Sequence, residues 1–166
     1  VLLPGSSATA LIDEFRERIG TVAGVEVTVA LVHAEVPEIP SAAKQSHELL
    51  DLVRRLGRPA GAYSIADLAL EYQLTRPGPA RKHLARVLEP LDDAAELVET
   101  LETHIAHDLS RQLTARTLHV HANTVDYRLK RVAQLTGFDP TRPSGLRQLQ
   151  AALIARRLEG LYPEAS

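Results

Sequence analysis

A length of 166 residues allows one compact domain or two small ones, and 45% hydrophobic with 24% charged residues is an ordinary globular composition. There is no cysteine, which excludes a disulfide framework and a thiolate metal site. The formal charge is only −2, no run of about 18 apolar residues offers a membrane span, and no signal-like segment opens the chain, so the cytoplasm is the expected compartment.

The chain opens on Val1-Leu2-Leu3-Pro4-Gly5, which reads as the end of a buried strand closed by a turn. It starts without methionine and inside that strand, so it reads as a piece of a longer protein. Ser6 or Ser7 caps a helix running to about residue 19, with Leu11, Ile12, Phe15 and Ile19 on its apolar side. Residues 25–33, VEVTVALVH, alternate as a strand, with Val25, Val27, Val29 and Leu31 facing the core. A helix is expected over 41–56, with Leu49, Leu52, Val53 and Leu56 inward and Gly57 as its stop. A short strand at 62–65, a helix over 66–74 with Ser64 as its cap, a break at Pro77-Gly78-Pro79 and a helix over 81–88 follow. Asp92-Asp93 then suit the positive end of a helix whose stripe is Leu97, Val98, Leu101 and Ile105.

Residues 109–137, LSRQLTARTLHVHANTVDYRLKRVAQLTG, read as two helices and a tight corner. Leu109, Leu113 and Leu118 mark the first; Val125, Leu129, Val132 and Leu135 give the second one apolar face. Ala115 is the small residue a steep crossing needs, and Val120 plugs the corner. This is the pattern of a helix-turn-helix, whose second helix enters the DNA major groove. A last helix carries Leu146, Leu149, Leu153 and Leu158, with Arg147, Arg156 and Arg157 outward. Charge agrees: residues 109–166 hold nine basic and four acidic side chains, a net of +5, against −7 for residues 1–108.

On such a helix the first turns read bases and the flanks hold phosphates. His121, Asn123, Thr124, Tyr127 and Arg128 fall at or near its start, where Asn suits adenine and Arg suits guanine. Lys130 and Arg131 lie further along and suit phosphate, as do Arg111, Thr114 and Arg116 on the first helix. Blander roles stand beside these: Asn123 as a helix cap, Tyr127 packed on Leu113, Arg128 as a solvated charge. His104, His107, His119 and His121 read as scattered surface or corner histidines rather than a zinc site, which wants three or four supported ligands.

The run His119 to Val132, HVHANTVDYRLKRV, preceded by LTARTL and followed by a leucine-spaced helix, resembles the C-terminal helix-turn-helix of the PucR/CdaR family of bacterial transcription regulators. The resemblance covers about residues 94–158. More weakly, VLLPG, VTVALV and LVRRLGRPAGAY fall in the order of the second half of a GGDEF-type nucleotide-cyclase fold, which in that family precedes the DNA-binding end in degenerate form. The implied fold is α+β and mostly α. A partial GGDEF-like α/β domain occupies 1–90, and an all-α helix-turn-helix domain occupies 91–166. The implied function is sequence-specific binding of double-stranded DNA at the nucleoid, as a dimer or higher oligomer, with an effector metabolite sensed by a domain upstream. Asp126 departs from the family, in which that position is commonly basic. A carboxylate there repels phosphate, and pairing with Lys130 at i,i+4, a place near the helix start, or a bond from a cytosine amine would each account for it.

No P-loop, GxSxG, HExxH or Rossmann glycine pattern is present, so neither catalysis, cofactor nor metal is expected. Two other readings stay open: a nucleotide- or metabolite-binding or oligomerisation module, and the remainder of an active nucleotide cyclase.

Overall fold

The structure is a computed structural model and describes residues 8–161. The expected strand at Val1–Leu3 and the caps Ser6 and Ser7 lie outside the described residues. The chain divides into two compact units, Val1–Gln73 and Leu74–Ser166. The helix expected at 81–88 therefore falls in the second.

In the first unit, α1 (Ala8–Ala23) packs on a strand and leads through Gly24 to the β-region. Only Ile12 of its expected inward residues is buried; Leu11, Phe15 and Ile19 are exposed. The sheet beneath it explains this. β1 (Val29–Leu31) and β2 (Ala62–Ser64) are three residues each, paired parallel with Val29 opposite Ala62. Two such strands cannot cover a 16-residue helix. The long strand expected over 25–33 shrinks for the same reason: β2 offers three residues to pair with, and Val25 stays exposed.

The crossover between the strands runs through α2 (Ile39–Arg55), as a parallel pair requires. α2 buries Leu49, Leu52 and Val53, and Leu56 follows, so the expected inward face is the observed one. The helix ends in a Schellman motif. Gly57, at φ 62°, lets its N–H reach the Arg54 carbonyl while Arg58 donates to the Val53 carbonyl. β2 runs directly into α3 (Ile65–Leu74). Here the cap is not the Ser64 hydroxyl acting as acceptor. Asp67 accepts from both the Ser64 backbone N–H, at 2.8 Å, and the Ser64 hydroxyl, at 2.6 Å, which holds its carboxyl below the usual range.

The second unit is all helix. α4 (Pro79–Arg86) packs on α8 (Pro143–Leu161). Arg81 of α4 is buried; its Nε donates to Glu159 of α8 at 2.6 Å and its NH1 to the Thr75 carbonyl at 2.9 Å. A buried guanidinium is tolerable only when partnered in this way. Between these two lie α5 (Ala95–Ala106), α6 (Arg111–Thr117) and α7 (Ala122–Thr136). One core joins them: Leu97 and Leu101 from α5, Ala115 from α6, Val125, Leu129 and Val132 from α7, and Leu149 and Ala152 from α8. Leu88 and Leu91, ahead of α5, complete it. Each such aliphatic side chain contributes about 1.5–3 kcal/mol of burial, which is what lets short helices persist.

α8 can start close to the end of α7 because residue 145 is glycine: a Cβ there would run into the Asp139 backbone. Arg156 and Arg157 do not point freely outward. They pair with Asp92 at 2.9 Å and Glu102 at 2.8 Å, so α8 is pinned by charge as well as by its core residues.

Candidate nucleic acid interface

Three helix ends build this region. α5 stops in a second Schellman motif: Asp108 donates to the Ile105 carbonyl and Leu109 to the His104 carbonyl. Asp108 and Leu109 are both left-handed, at φ 50° and 63°. Ser110 then caps α6, its hydroxyl accepting the Leu113 N–H at 3.4 Å. α6 ends in a third motif of the same kind. His119, at φ 54°, donates to the Arg116 carbonyl and Val120 to the Ala115 carbonyl. Buried Ala115 and half-buried Val120 therefore meet at the corner, in the roles their size and position suggest.

His121 is the N-cap of α7. Its Nδ1 accepts the Asn123 N–H at 3.2 Å, so the cap is the histidine and Asn123 is left free of that task. Gly137, at φ 77°, closes the other end.

With Val125, Leu129 and Val132 buried, α7 presents the opposite face to solvent: Asn123, Asp126, Tyr127, Lys130, Arg131 and Gln134. Tyr127 is 69% exposed and Leu113 46%, so the ring is not packed away on that leucine. Thr124 is half-buried beneath its neighbours. Arg128 lies on the flank facing α5, where its NH1 donates to the Thr100 hydroxyl at 3.2 Å. The Thr100 hydroxyl gives its own proton to the Glu96 carbonyl at 2.6 Å, so it can serve Arg128 only as acceptor.

Thr114 is not at the surface, and its expected contact with DNA is corrected. It is fully buried, donating to the Ser110 carbonyl at 2.8 Å. That donation leaves its oxygen to accept from His104 Nδ1, 3.1 Å away, and fixes the neutral imidazole as the Nδ1–H tautomer. His104, read as a surface histidine, is itself 6% exposed. Burial pushes its pKa down, against an opposing pull from the Asp126 carboxylate. One turn on, His107 meets Thr117 at 2.8 Å. The two histidines spaced i,i+3 thus bind two threonines spaced i,i+3, and α5 and α6 are stitched side by side.

Charge is distributed unevenly over the unit. Arg111 pairs with Asp126 at 2.6 Å, and Arg142 with Asp139 at 3.6 Å. Arg131 bonds Gln134 at 3.2 Å. Arg116 and Lys130 are exposed and make no ion pair among the described residues. The net positive charge of this end of the chain is therefore presented mostly from α6 and α7, since α8 spends Arg156 and Arg157 on internal pairs and adds only exposed Arg147. Among the described residues no helix is long and apolar enough to cross a membrane.

Two short helices joined at a locked corner, braced by a third and exposing a polar, cation-bearing face on the second, define a helix-turn-helix domain. Residues 97–155 match the family model of the PucR C-terminal helix-turn-helix domain. It is 43% identical over 79 residues to the uncharacterized protein YsfB of Bacillus subtilis, covering 45% of this chain and 22% of that one. It is 37% identical over 67 residues to the carbohydrate diacid regulator of Escherichia coli, covering 40% of this chain and 16% of that one. Among solved structures, a regulator of polyketide synthase expression from Bifidobacterium adolescentis aligns at 32% identity with a TM-score of 0.47, covering 71% of this chain and 50% of that one. The chain thus spans about a fifth of the length of the curated relatives it matches.

Proposed function

We propose that this chain acts as the DNA-binding end of a transcriptional regulator, with α7 lying in the major groove. The observation that carries the reading is the exposed face of α7. Its outward residues are two amides, one phenol, two cations and one carboxylate, the last paired with Arg111, while its aliphatic residues Val125, Leu129 and Val132 are sealed into the core. In this arrangement Asn123 and Tyr127 reach base edges from the first turns. Lys130, Arg131 and Arg116 hold phosphates, and Arg111 stands at the start of α6, where a first helix crosses the backbone. His121 caps α7, and Thr124 lies beside it at the groove's edge. Arg128 acts on the same surface by fixing the tilt of α7 against α5 and reaches DNA with whatever the Thr100 bond leaves over.

A lone helix-turn-helix covers limited DNA, so two copies on two half-sites suit the reading. That the relatives include a carbohydrate diacid regulator and a DNA-binding transcriptional activator supports a role in gene regulation. For the first unit, the β1–α2–β2 crossover with its parallel pair fits a remnant of a nucleotide-cyclase-like fold. A second reading of that unit, as an oligomerisation module, is favoured by Leu11, Phe15, Ile19 and Val22, exposed together along α1.

The test is a titration of the chain against random-sequence duplex DNA at two salt concentrations. Binding that weakens steeply with salt is expected from counterion release. Absence of binding at low salt would overturn the reading.

A further inference from the structure

One polar pair on the α6–α7 surface is not accounted for by stability alone. Asp126 lies in the second turn of α7, on the flank that adjoins α6, and its Oδ2 accepts from the Arg111 NH1 at 2.6 Å. Both side chains are about half exposed, at 51% for Arg111 and 49% for Asp126. The obvious helical partner, Lys130 at i,i+4, is passed over. An acidic group therefore stands between the cations of a surface meant for a polyanion, muted by an arginine from the neighbouring helix.

Such a pair is weak, because water screens it and two long side chains must be held still. A phosphate competes well for Arg111, since two of its oxygens can accept both prongs of the planar guanidinium fork. The carboxylate is then left facing a groove wall. An acceptor-only group is tolerated there only opposite a donor. Guanine shows two acceptors in the major groove and thymine an acceptor and a methyl. Adenine sets its amine beside the N7 acceptor, whereas cytosine offers its N4 amine without that neighbour.

We propose that Asp126 is a specificity-determining residue for a C·G base pair. On cognate duplex Arg111 passes to a phosphate, and the freed carboxylate accepts from the cytosine N4 amine. On other sequences the carboxylate meets either no donor or, at adenine, a donor with the repelling N7 acceptor beside it, so the pair stays closed and Arg111 neutralises no phosphate. The device discourages sequence-independent binding as well as naming one base. It rests on the reading of α7 as the groove-entering helix.

The experiment is selection from a random-sequence duplex library by the 166-residue chain, run in parallel for the wild type, Asp126→Asn and Arg111→Ala. The wild-type pool is expected to fix cytosine at one position. Asp126→Asn should turn that position to adenine, which an amide pairs in bidentate fashion, and leave the rest of the motif intact. Arg111→Ala should keep the cytosine and bind more weakly. On the selected motif, the wild-type slope of log affinity against log salt should exceed its slope on scrambled duplex by about 0.9, one extra phosphate, and Arg111→Ala should lose that excess. If Asp126→Asn selects the wild-type motif at every position, the inference is wrong although the DNA reading survives. If the wild type enriches nothing, the DNA reading fails and takes the inference with it.

Discussion

Thr114→Val separates a buried brace from a DNA contact. Valine keeps the shape of threonine but removes the hydroxyl that links His104 Nδ1 to the Ser110 carbonyl. His104 is only 6% exposed, so its Nδ1–H has no ready access to water. An unsatisfied buried donor costs about 1–3 kcal/mol. Taking about 2 kcal/mol, and about 4–8 °C per kcal/mol for a domain of this size, the melting temperature should fall by about 10 °C. Removing the partner as well, in Thr114→Val with His104→Leu, should recover most of that, because replacing both members with apolar groups leaves nothing unpaired. The assay is thermal unfolding of the wild type and the two variants followed by circular dichroism, with duplex binding measured well below each midpoint. The reasoning is refuted if Thr114→Val melts like the wild type yet binds DNA less tightly, since the hydroxyl would then be at the interface.

Further outcomes follow from the same geometry. Burial holds His104 below its ordinary 6.5, so the unfolded chain takes up the proton first; its contribution is whole above about pH 6.5 and is lost as pH falls below that. Urea midpoints at pH 7 and pH 5 should therefore differ more for the wild type than for the His104→Leu, Thr114→Val double variant. Lys130→Ala, which removes an exposed cation without an ion pair, should lower the salt slope of duplex binding by about 0.9 and leave the unfolding midpoint within experimental scatter. Gly137→Ala should cost about 1 kcal/mol in chemical denaturation. A Cβ at Gly137 meets nothing within 4 Å, so the penalty there comes from its φ of 77° alone.

Periodicity made the apolar side of α7 readable, because Val125, Leu129 and Val132 repeat with the helix itself. The corner was readable for a similar reason: Ala115 and Val120 are close in sequence and their bond is local. What sequence could not supply was the partner of a polar residue when that partner sits on another helix. Thr114 looked like a surface threonine because nothing near it announces His104, ten positions away. Asp126 had a neighbour of the right charge at Lys130, and the fold gave it Arg111 instead, fifteen positions back. Arg156 and Arg157 were read as outward for want of any sign of Asp92 and Glu102. β1 came out short because alternation shows that a segment can pair, and the number of partners decides how much of it does. Among the described residues the same short sheet leaves Leu11, Phe15 and Ile19 of α1 exposed.

Asp108 and Leu109 hold two left-handed residues in a row without a glycine between them. Each conformation costs about 1–2 kcal/mol relative to the right-handed form, so surrounding bonds must overrule local preference. The Leu109 N–H on the His104 carbonyl and the Ser110 N–H on the His107 carbonyl, both 2.9 Å, are placed to do so. A joint loaded in this way behaves as a set elbow rather than a hinge. The heading of α7 is thereby inherited, two bends downstream, from α5, and whatever reorients α5 re-aims α7 with it.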